Sequence, residues 1–313
     1  MAESSAKEKA ADGSKNGGAV SALISVAVCM GIAKGIAYAL GLDTAAAIAM
    51  GIQVVAWVPS ALAKSEKFYD FTGMLSFISV ALFSQAASIQ RFFLDIPGVR
   101  IDLPYLWANA SRHLVATSLV LVWTLRLGKF LFERIQRDGH DSRFNRVRDR
   151  PLKFLLFWTV QGLWVFLTPL SMLALHKLDP KGGLGEVQPR DAIGLVVWMV
   201  GFIVEVVADE QKRQFKQDKK NDGRFIDTGL WSRCRHPNYV GEMMIWAGFF
   251  MFCSRGLLQG AGWPVIAGPA FVVLLFLFIS TPALEGGADK KYGGQAAYHE
   301  YKRRTPSLYF RFS

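Results

Sequence analysis

Asn238 and Glu242 stand four residues apart in the segment HPNYVGEMMIWAGFF (236–250). On a helix that spacing puts the amide and the carboxylate on one face, and Trp246 continues the face. Nearly every neighbour is apolar. Polar groups stacked on such a helix point inward, either toward a ligand with amide or hydroxyl groups or toward a neighbouring helix that they clamp. Directly ahead come Arg233, Arg235 and His236, with Pro237 suited to the first helical position. The free N–H groups of a helix start, beside three basic side chains, suit a phosphate. The bland reading of the same loop is a topology signal. The pattern repeats upstream. Glu205 and Asp209 are again four apart, and Lys212, Arg213, Lys216, Lys219, Lys220 and Arg224 follow. Acceptors for hydroxyl and amino groups beside donors for phosphates describe a site for a nucleotide with several phosphates.

Other charges lie in apolar runs. Lys34, Arg91 and Arg126 are close enough to run ends to snorkel, whereas Arg112 in SRHL lies deeper. Cys29, Cys234 and Cys253 have no CxxC spacing, and the five histidines give no HExxH pattern. Neither a disulfide framework nor a metal site is read from them.

The elements that must position these groups are membrane helices. Of 313 residues, 51% are hydrophobic and only 19% charged, which excludes a disordered chain or a disulfide scaffold. The apolar residues gather into about eight stretches, over 19–41, 44–63, 71–94, 104–127, 153–176, 191–208, 238–254 and 262–283. Each is near the ~20 residues that cross a bilayer. The predicted fold is therefore all-α, a multi-pass transmembrane helical bundle of 7–8 spans, the first two rich in Ala and Gly. Residues 1–18 are small and polar, and they predict a disordered tail with no secretory signal or transit peptide. Gly31 and Gly35 form one GxxxG, a weak helix-dimer signal.

Basic residues fix the expected orientation. With the N-terminus cytoplasmic, the segments 64–70, 128–152, 209–237 and 284–313 share its side and hold most of the Lys and Arg. The opposite loops hold Arg100, Lys181, Arg190 and Arg255, with Lys177 at a helix end. That is a positive-inside pattern with both termini cytoplasmic. It accounts for the net charge of +11 without a nucleic-acid partner. Membrane lipids and a polyanionic cofactor are the partners it suggests.

The stretches GRFIDTGLWSRCRHPNYVGEMMIWAGFF (223–250) and LEGGADKKYGGQAAYHEYKRRTPSLYF (284–310) resemble the C-terminal region of steroid 5-alpha-reductase-like membrane proteins, in particular the DUF1295 family. TLRLGKFLFERIQRDGHDSRF (124–144) and FIVEVVADEQKRQFK (202–216) agree with this. The resemblance implies N-terminal transmembrane helices over 19–103 and a cofactor-binding membrane domain over 104–313. It implies NADPH as cofactor, with Asn238 and Glu242 at the nicotinamide end. Asp209, Lys216, Arg224, Phe225, Arg235 and His236 would lie along the ribose, phosphates and adenine, with Tyr239 beside them. Tyr298 and Tyr301 would close over the cofactor. Cys234 stands where the family commonly has Ser, and LEGG retains only Glu285 of a carboxylate pair. The Glu that polarises the carbonyl in steroid reductases has no placed counterpart, and the matching Tyr position falls near Arg126.

The implied activity is hydride transfer from NADPH to a C=C bond of a lipid-soluble substrate, such as a sterol, polyprenyl or long-chain acyl compound. Arg126, Arg112 and Tyr239 are the candidate catalytic donors to a developing oxyanion. RHPxY also occurs in isoprenylcysteine carboxyl methyltransferases, so an S-adenosylmethionine-dependent lipid methyltransferase is a rival. A non-enzymatic subunit of a membrane complex is another. A eukaryotic source would point to the endoplasmic reticulum.

Overall fold

The computed structural model describes residues 2–94, 103–178, 188–254, 257 and 260–311. Among these the fold is all-α, with no strand. The α-helices are α1 (Ala2–Leu40), α2 (Asp43–Leu62), α3 (Tyr69–Leu94), α4 (Leu103–Asp138), α5 (Pro151–Leu167), α6 (Leu170–Leu178), α7 (Pro189–Gln217), α8 (Pro237–Cys253), α9 (Ala267–Leu275), α10 (Thr281–Tyr292) and α11 (Ala296–Arg304). A π-helical turn, Phe276–Ser280, joins α9 to α10.

Six helical segments are long and apolar enough to cross a membrane, and seven if the bent pair α5–α6 is one span. The protein is thus a multi-pass membrane protein, and the seven spans counted among the described residues with α5–α6 as one fall within the expected 7–8. α5 and α6 meet at a 50° bend, and α8 has only 17 residues, which at 1.5 Å per residue is about 26 Å. The last span runs from Trp263 to Tyr292 through the π-turn. Residues 2–18 are the start of α1, ahead of its apolar segment Gly18–Leu40. They contain no proline and several Ala, Lys and Glu, so a helix nucleated by the following apolar run propagates through them. Of the basic residues that carry the predicted orientation, Arg100, Lys181 and Arg255 lie outside the described residues.

The chain divides into two compact units, 1–185 with 257–265, and 186–256 with 266–313. Within the first unit α4 packs along α3 and also touches α6. In the first unit α2 packs on α3 and α5. Phe77, Trp123 and Trp164 meet with ring centroids 4.8–5.8 Å apart, close enough for edge-to-face attraction. Near the start of α3, Glu66 accepts the Asp141 N–H at 2.9 Å and pairs with Arg148. Arg134 and Arg143 each bridge Asp70 and Asp141. Burial pushes the Asp141 carboxyl up, but hydrogen bonding and charge from Arg143 outweigh this and hold it below the usual carboxylate range.

In the second unit the governing contact is α7 against α8. Gly194 and Gly201 on α7 meet Gly248 and Gly241 on α8, so the two helices lie antiparallel. An added Cβ on Gly194 would stand 2.7 Å from the Gly248 carbonyl oxygen, and one on Gly241 would stand 2.7 Å from the Glu205 nitrogen. Each pair of glycines is seven residues apart, two helical turns, so both fall on one stripe. Without side chains on that stripe the backbones touch. Gly31 and Gly35, by contrast, have nothing within 4 Å of an added Cβ.

Candidate functional site

The site is built on the α7–α8 hairpin. Pro237 opens α8 at its first position. At 100° per residue, Gly241 and Ile245 face α7, while Tyr239 is turned roughly the opposite way. There Tyr239 stacks on Phe276, the first residue of the π-turn, at 4.2 Å and 14°, and on His236 at 5.5 Å and 15°. Asn238, Glu242 and Trp246 occupy the arc between these two edges. That arc lies between two walls, α7 packed on the Gly241 side and the π-turn packed on the Tyr239 side. Glu242 is 8% exposed and Trp246 is buried, while Asn238 is half-buried. On the α7 wall Glu205 is 2% exposed and Asp209 is buried. The i, i+4 pairs read from the sequence therefore do face inward, and the glycine seam brings them side by side through Gly241 and Glu205.

The loop before α8 is held from three directions. Gly229 has φ +60°, which favours glycine, and an added Cβ there would push against the tip of the Gln211 side chain, 2.6 Å away. Gln211 accepts the Leu230 N–H at 2.9 Å. Trp231 donates its ring N–H to the Ala208 carbonyl at 3.0 Å, Lys212 lies 4.6 Å over its ring, and the Tyr301 hydroxyl donates to its carbonyl at 2.7 Å. The chain after α11 then clasps the loop. Arg235 and His236 N–H groups donate to the Pro306 and Ser307 carbonyls at 2.8 and 3.1 Å, and Arg311 N–H donates to the Arg233 carbonyl at 3.0 Å.

These contacts alter the predicted phosphate mouth. Its anion is the protein's own Glu285, on α10. Arg235 donates to it through Nε at 2.9 Å and Nη2 at 3.3 Å, His236 Nε2 lies at 2.8 Å, and Lys302 Nζ at 3.1 Å. Arg235 also donates to the Lys302 and Thr305 carbonyls. Burial holds the His236 ring below the usual histidine value, with Lys212 and Arg235 acting the same way and the bond to Glu285 partly offsetting them. Arg235 and His236 thus brace the loop. Arg233 in the loop is exposed, as are Lys216 on the last turn of α7 and Lys219, Lys220 and Arg224 after it.

Phe225, Tyr298 and Tyr301 are brought together. Phe225 stacks on Tyr301 at 5.2 Å and meets Tyr298 at 5.3 Å and Tyr292 at 5.9 Å. The Tyr298 hydroxyl donates to Asp289 at 2.9 Å, and Lys302 pairs with the same carboxylate at 2.7 Å. Burial raises the Tyr301 hydroxyl above the ordinary tyrosine range. Burial likewise pushes the Cys234 thiol up to about 11. Among these groups Trp231, Gln211, Asp289 and Lys302 escaped the sequence reading. Their partners lie nine to seventy residues away, at spacings that no local pattern marks.

Arg112 and Arg126 belong to the first unit. Arg126 is half-buried, with its guanidinium 5.5 Å from the Phe130 ring centroid. Arg112 is buried beside a polar cluster on α3, α4 and α6. Ser88 meets His113 Nδ1 at 2.7 Å, Ser84 meets His176 Nδ1 at 2.9 Å, Thr117 donates to Gln85 at 2.8 Å, and Arg91 donates to the His176 carbonyl at 2.8 Å. No group of three or more metal-ligating side chains is found among the described residues.

Comparison with known proteins agrees with this architecture. The chain is 28% identical over 190 residues to the uncharacterized protein C594.04c of Schizosaccharomyces pombe, covering 50% of this chain and 53% of the relative. It is 33% identical over 106 residues to Probable O-methyltransferase ustE of Ustilaginoidea virens (34% and 36%). It is 29% identical over 97 residues to human 3-oxo-5-alpha-steroid 4-dehydrogenase 1 (31% and 34%). The chain thus spans about half the length of the first of these relatives and about a third of the other two. No solved structure matches it. The model of a protein family of unknown function, DUF1295, matches residues 56–305, most of the chain, and the protein belongs to that family.

Proposed function

We propose that the protein is an NADPH-dependent reductase of the membrane, acting on an activated C=C bond of a lipid-soluble substrate. One observation carries this reading. Buried carboxylates stand on two touching helices, Glu205 and Asp209 on α7 and Glu242 on α8, and the exposed cations Lys216, Lys219, Lys220 and Arg224 follow on the last turn of α7 and the loop after it; we take the space between α7 and the π-turn wall as the ligand groove. That combination suits a ligand with hydroxyl and amide groups at one end and several phosphates at the other. The steroid dehydrogenase among the relatives supports a reductase of this kind.

On this reading Glu242 and Asn238 hold the ring end, and Asp209 the ribose. Lys216 and Arg224 neutralise phosphates. Arg235 and His236 act through Glu285 by fixing the loop, and Phe225, Tyr298 and Tyr301 hold the C-terminal segment against it. When bound, the dinucleotide supplies a hydride. The protein positions the double bond, excludes water and offers a donor to the substrate oxygen. Tyr239, in the same unit as Asn238 and Glu242, is the proposed donor. We place both termini on the cytoplasmic side, where the basic segments gather, and favour the endoplasmic reticulum in a eukaryote.

The methyltransferase reading is favoured by one relative's name and by RHPNY. S-adenosylmethionine carries no phosphate and leaves the α7 cations without a role. Titrating purified protein in lipid nanodiscs with NADPH and with S-adenosylmethionine separates the two. Binding of NADPH near ~1 μM, weakened ~10-fold or more by Glu242→Ala, is expected. Preference for S-adenosylmethionine, or NADPH binding that survives both Glu242→Ala and Arg235→Ala, discards the reductase.

A further inference from the structure

The π-turn in the last span leaves a mark on the residue after it. Thr281 is 7% exposed, and its hydroxyl has no hydrogen-bond partner. In a regular helix a threonine hydroxyl commonly returns to a carbonyl one turn back. Here the Thr281 N–H bonds five residues back, to the Phe276 carbonyl, and the side chain is left unsatisfied. Buried polar groups without partners are costly, most of all at membrane depth. Single π-turns inside helices occur frequently at functional sites.

The neighbours of Thr281 show where it faces. Phe276, five residues before, is stacked on Tyr239. Glu285, one turn after and on the same face, contacts Arg235 and His236. Thr281 lies between them on that face of the last span, which meets the start of α8 at His236 and Tyr239, beside Asn238 and one turn before Glu242. A carboxylate that accepts, an amide that donates and a hydroxyl that does either together complement a primary carboxamide. The carboxylate takes its N–H, and the other two serve its carbonyl oxygen.

We infer that the Thr281 hydroxyl is a binding group of this groove, a hydrogen-bond partner for a carboxamide on the bound molecule. The inference rests on the dinucleotide reading above and deepens it, by assigning the carboxamide end of that ligand to the π-turn wall as well as to α8.

The test uses full-length protein in nanodiscs and two probes, NADPH and 2′-phospho-ADP-ribose, which lacks the nicotinamide. Thr281→Val keeps the shape and removes the hydroxyl. The expected result is a loss of NADPH affinity of about tenfold, the size of one hydrogen bond, with 2′-phospho-ADP-ribose binding unchanged. Thr281→Ser restores NADPH binding, and the melting temperature of Thr281→Val equals or exceeds that of the wild type, since an unpaired buried group has been removed. If Thr281→Val does not insert, Thr281→Ala takes its place. NADPH binding unchanged in the variant overturns the inference and leaves the reductase reading standing, and so does an equal loss for both probes. Wild-type protein that binds neither probe overturns the reading itself, and this assignment with it.

Discussion

Gly201 of α7 and Gly241 of α8 meet backbone to backbone: a Cβ on Gly201 would stand 2.6 Å from the Gly241 carbonyl oxygen and 2.7 Å from the Ile245 nitrogen. The obstructing atoms are main chain and cannot rotate away. Gly201→Ala or Gly241→Ala must therefore push the helices apart, and with them Glu205 and Glu242. Overpacking a close-fitted interior costs about 1–3 kcal/mol and more where backbone must shift, so each variant is expected to lower the thermal midpoint in detergent. Gly31→Ala and Gly35→Ala, which meet nothing within 4 Å, leave it unchanged. Equal behaviour of the two sets would contradict the seam.

Glu285 gathers Arg235, His236 and Lys302. Glu285→Gln keeps the shape but removes the negative charge, leaving the half-buried Arg235 guanidinium without its carboxylate while Lys302 keeps Asp289. Breaking a buried ion pair by removing one partner costs about 3–5 kcal/mol, and the partial exposure here places the expected loss at the lower end, roughly 3 kcal/mol. Denaturant unfolding of the reconstituted protein measures it. A loss below about 0.5 kcal/mol, as for a surface pair, would show that Glu285 does not hold the loop.

His236 sets an acid limb of stability. Its folded pKa lies below the ordinary value because of burial, reinforced by Lys212 and Arg235 and opposed by Glu285. Neutral His236 is therefore favoured in the folded state. Its contribution is complete above pH about 6.5 and is lost as the pH falls from there toward the lower folded value. The thermal midpoint should hold level from pH 8 to 7 and decline below 6.5, and His236→Gln should flatten that decline. Asp141, whose carboxyl is held low, acts in a separate window and loses its contribution only below about pH 4.

Cys234 is buried, with its thiol pushed up to about 11 by burial. The thiolate is the reactive form. In a variant with Cys29→Ala and Cys253→Ala, Cys234 is expected to resist maleimide at pH 8 in native membranes and to react after denaturation. Rapid native labelling would show that the clasp from residues 306–311 is open.

Much of the site was legible because its signals are local. Asn238 with Glu242, and Glu205 with Asp209, are one turn apart on their helices, and a polar pair inside an apolar run has to face inward. Pro237 marks the start of α8 in the same local way. What the sequence concealed was pairing across distance. Gly194 reaches Gly248 and Gly201 reaches Gly241 over some fifty and forty residues, and a seven-residue glycine spacing on one helix means little until its partner is known. The GxxxG at Gly31 and Gly35 fits a familiar local pattern yet touches nothing. The cations of the RCRH loop suggested an open anion site because Glu285, about fifty residues downstream, could not be recognised from sequence as their partner. The number of spans was legible from apolar length, but the 50° bend between α5 and α6 and the shortness of α8 were not.

The seam of glycines also decides which part of the groove can give way. Two backbones in contact have no rotamers to exchange, so α7 and α8 move as one piece. A molecule entering between them and the last span has to displace the other wall, and that wall carries the wider π-turn, with its altered hydrogen-bond ladder, directly behind Phe276. Tyr239, stacked on Phe276 where that turn begins, couples it to the helix that carries Asn238 and Glu242.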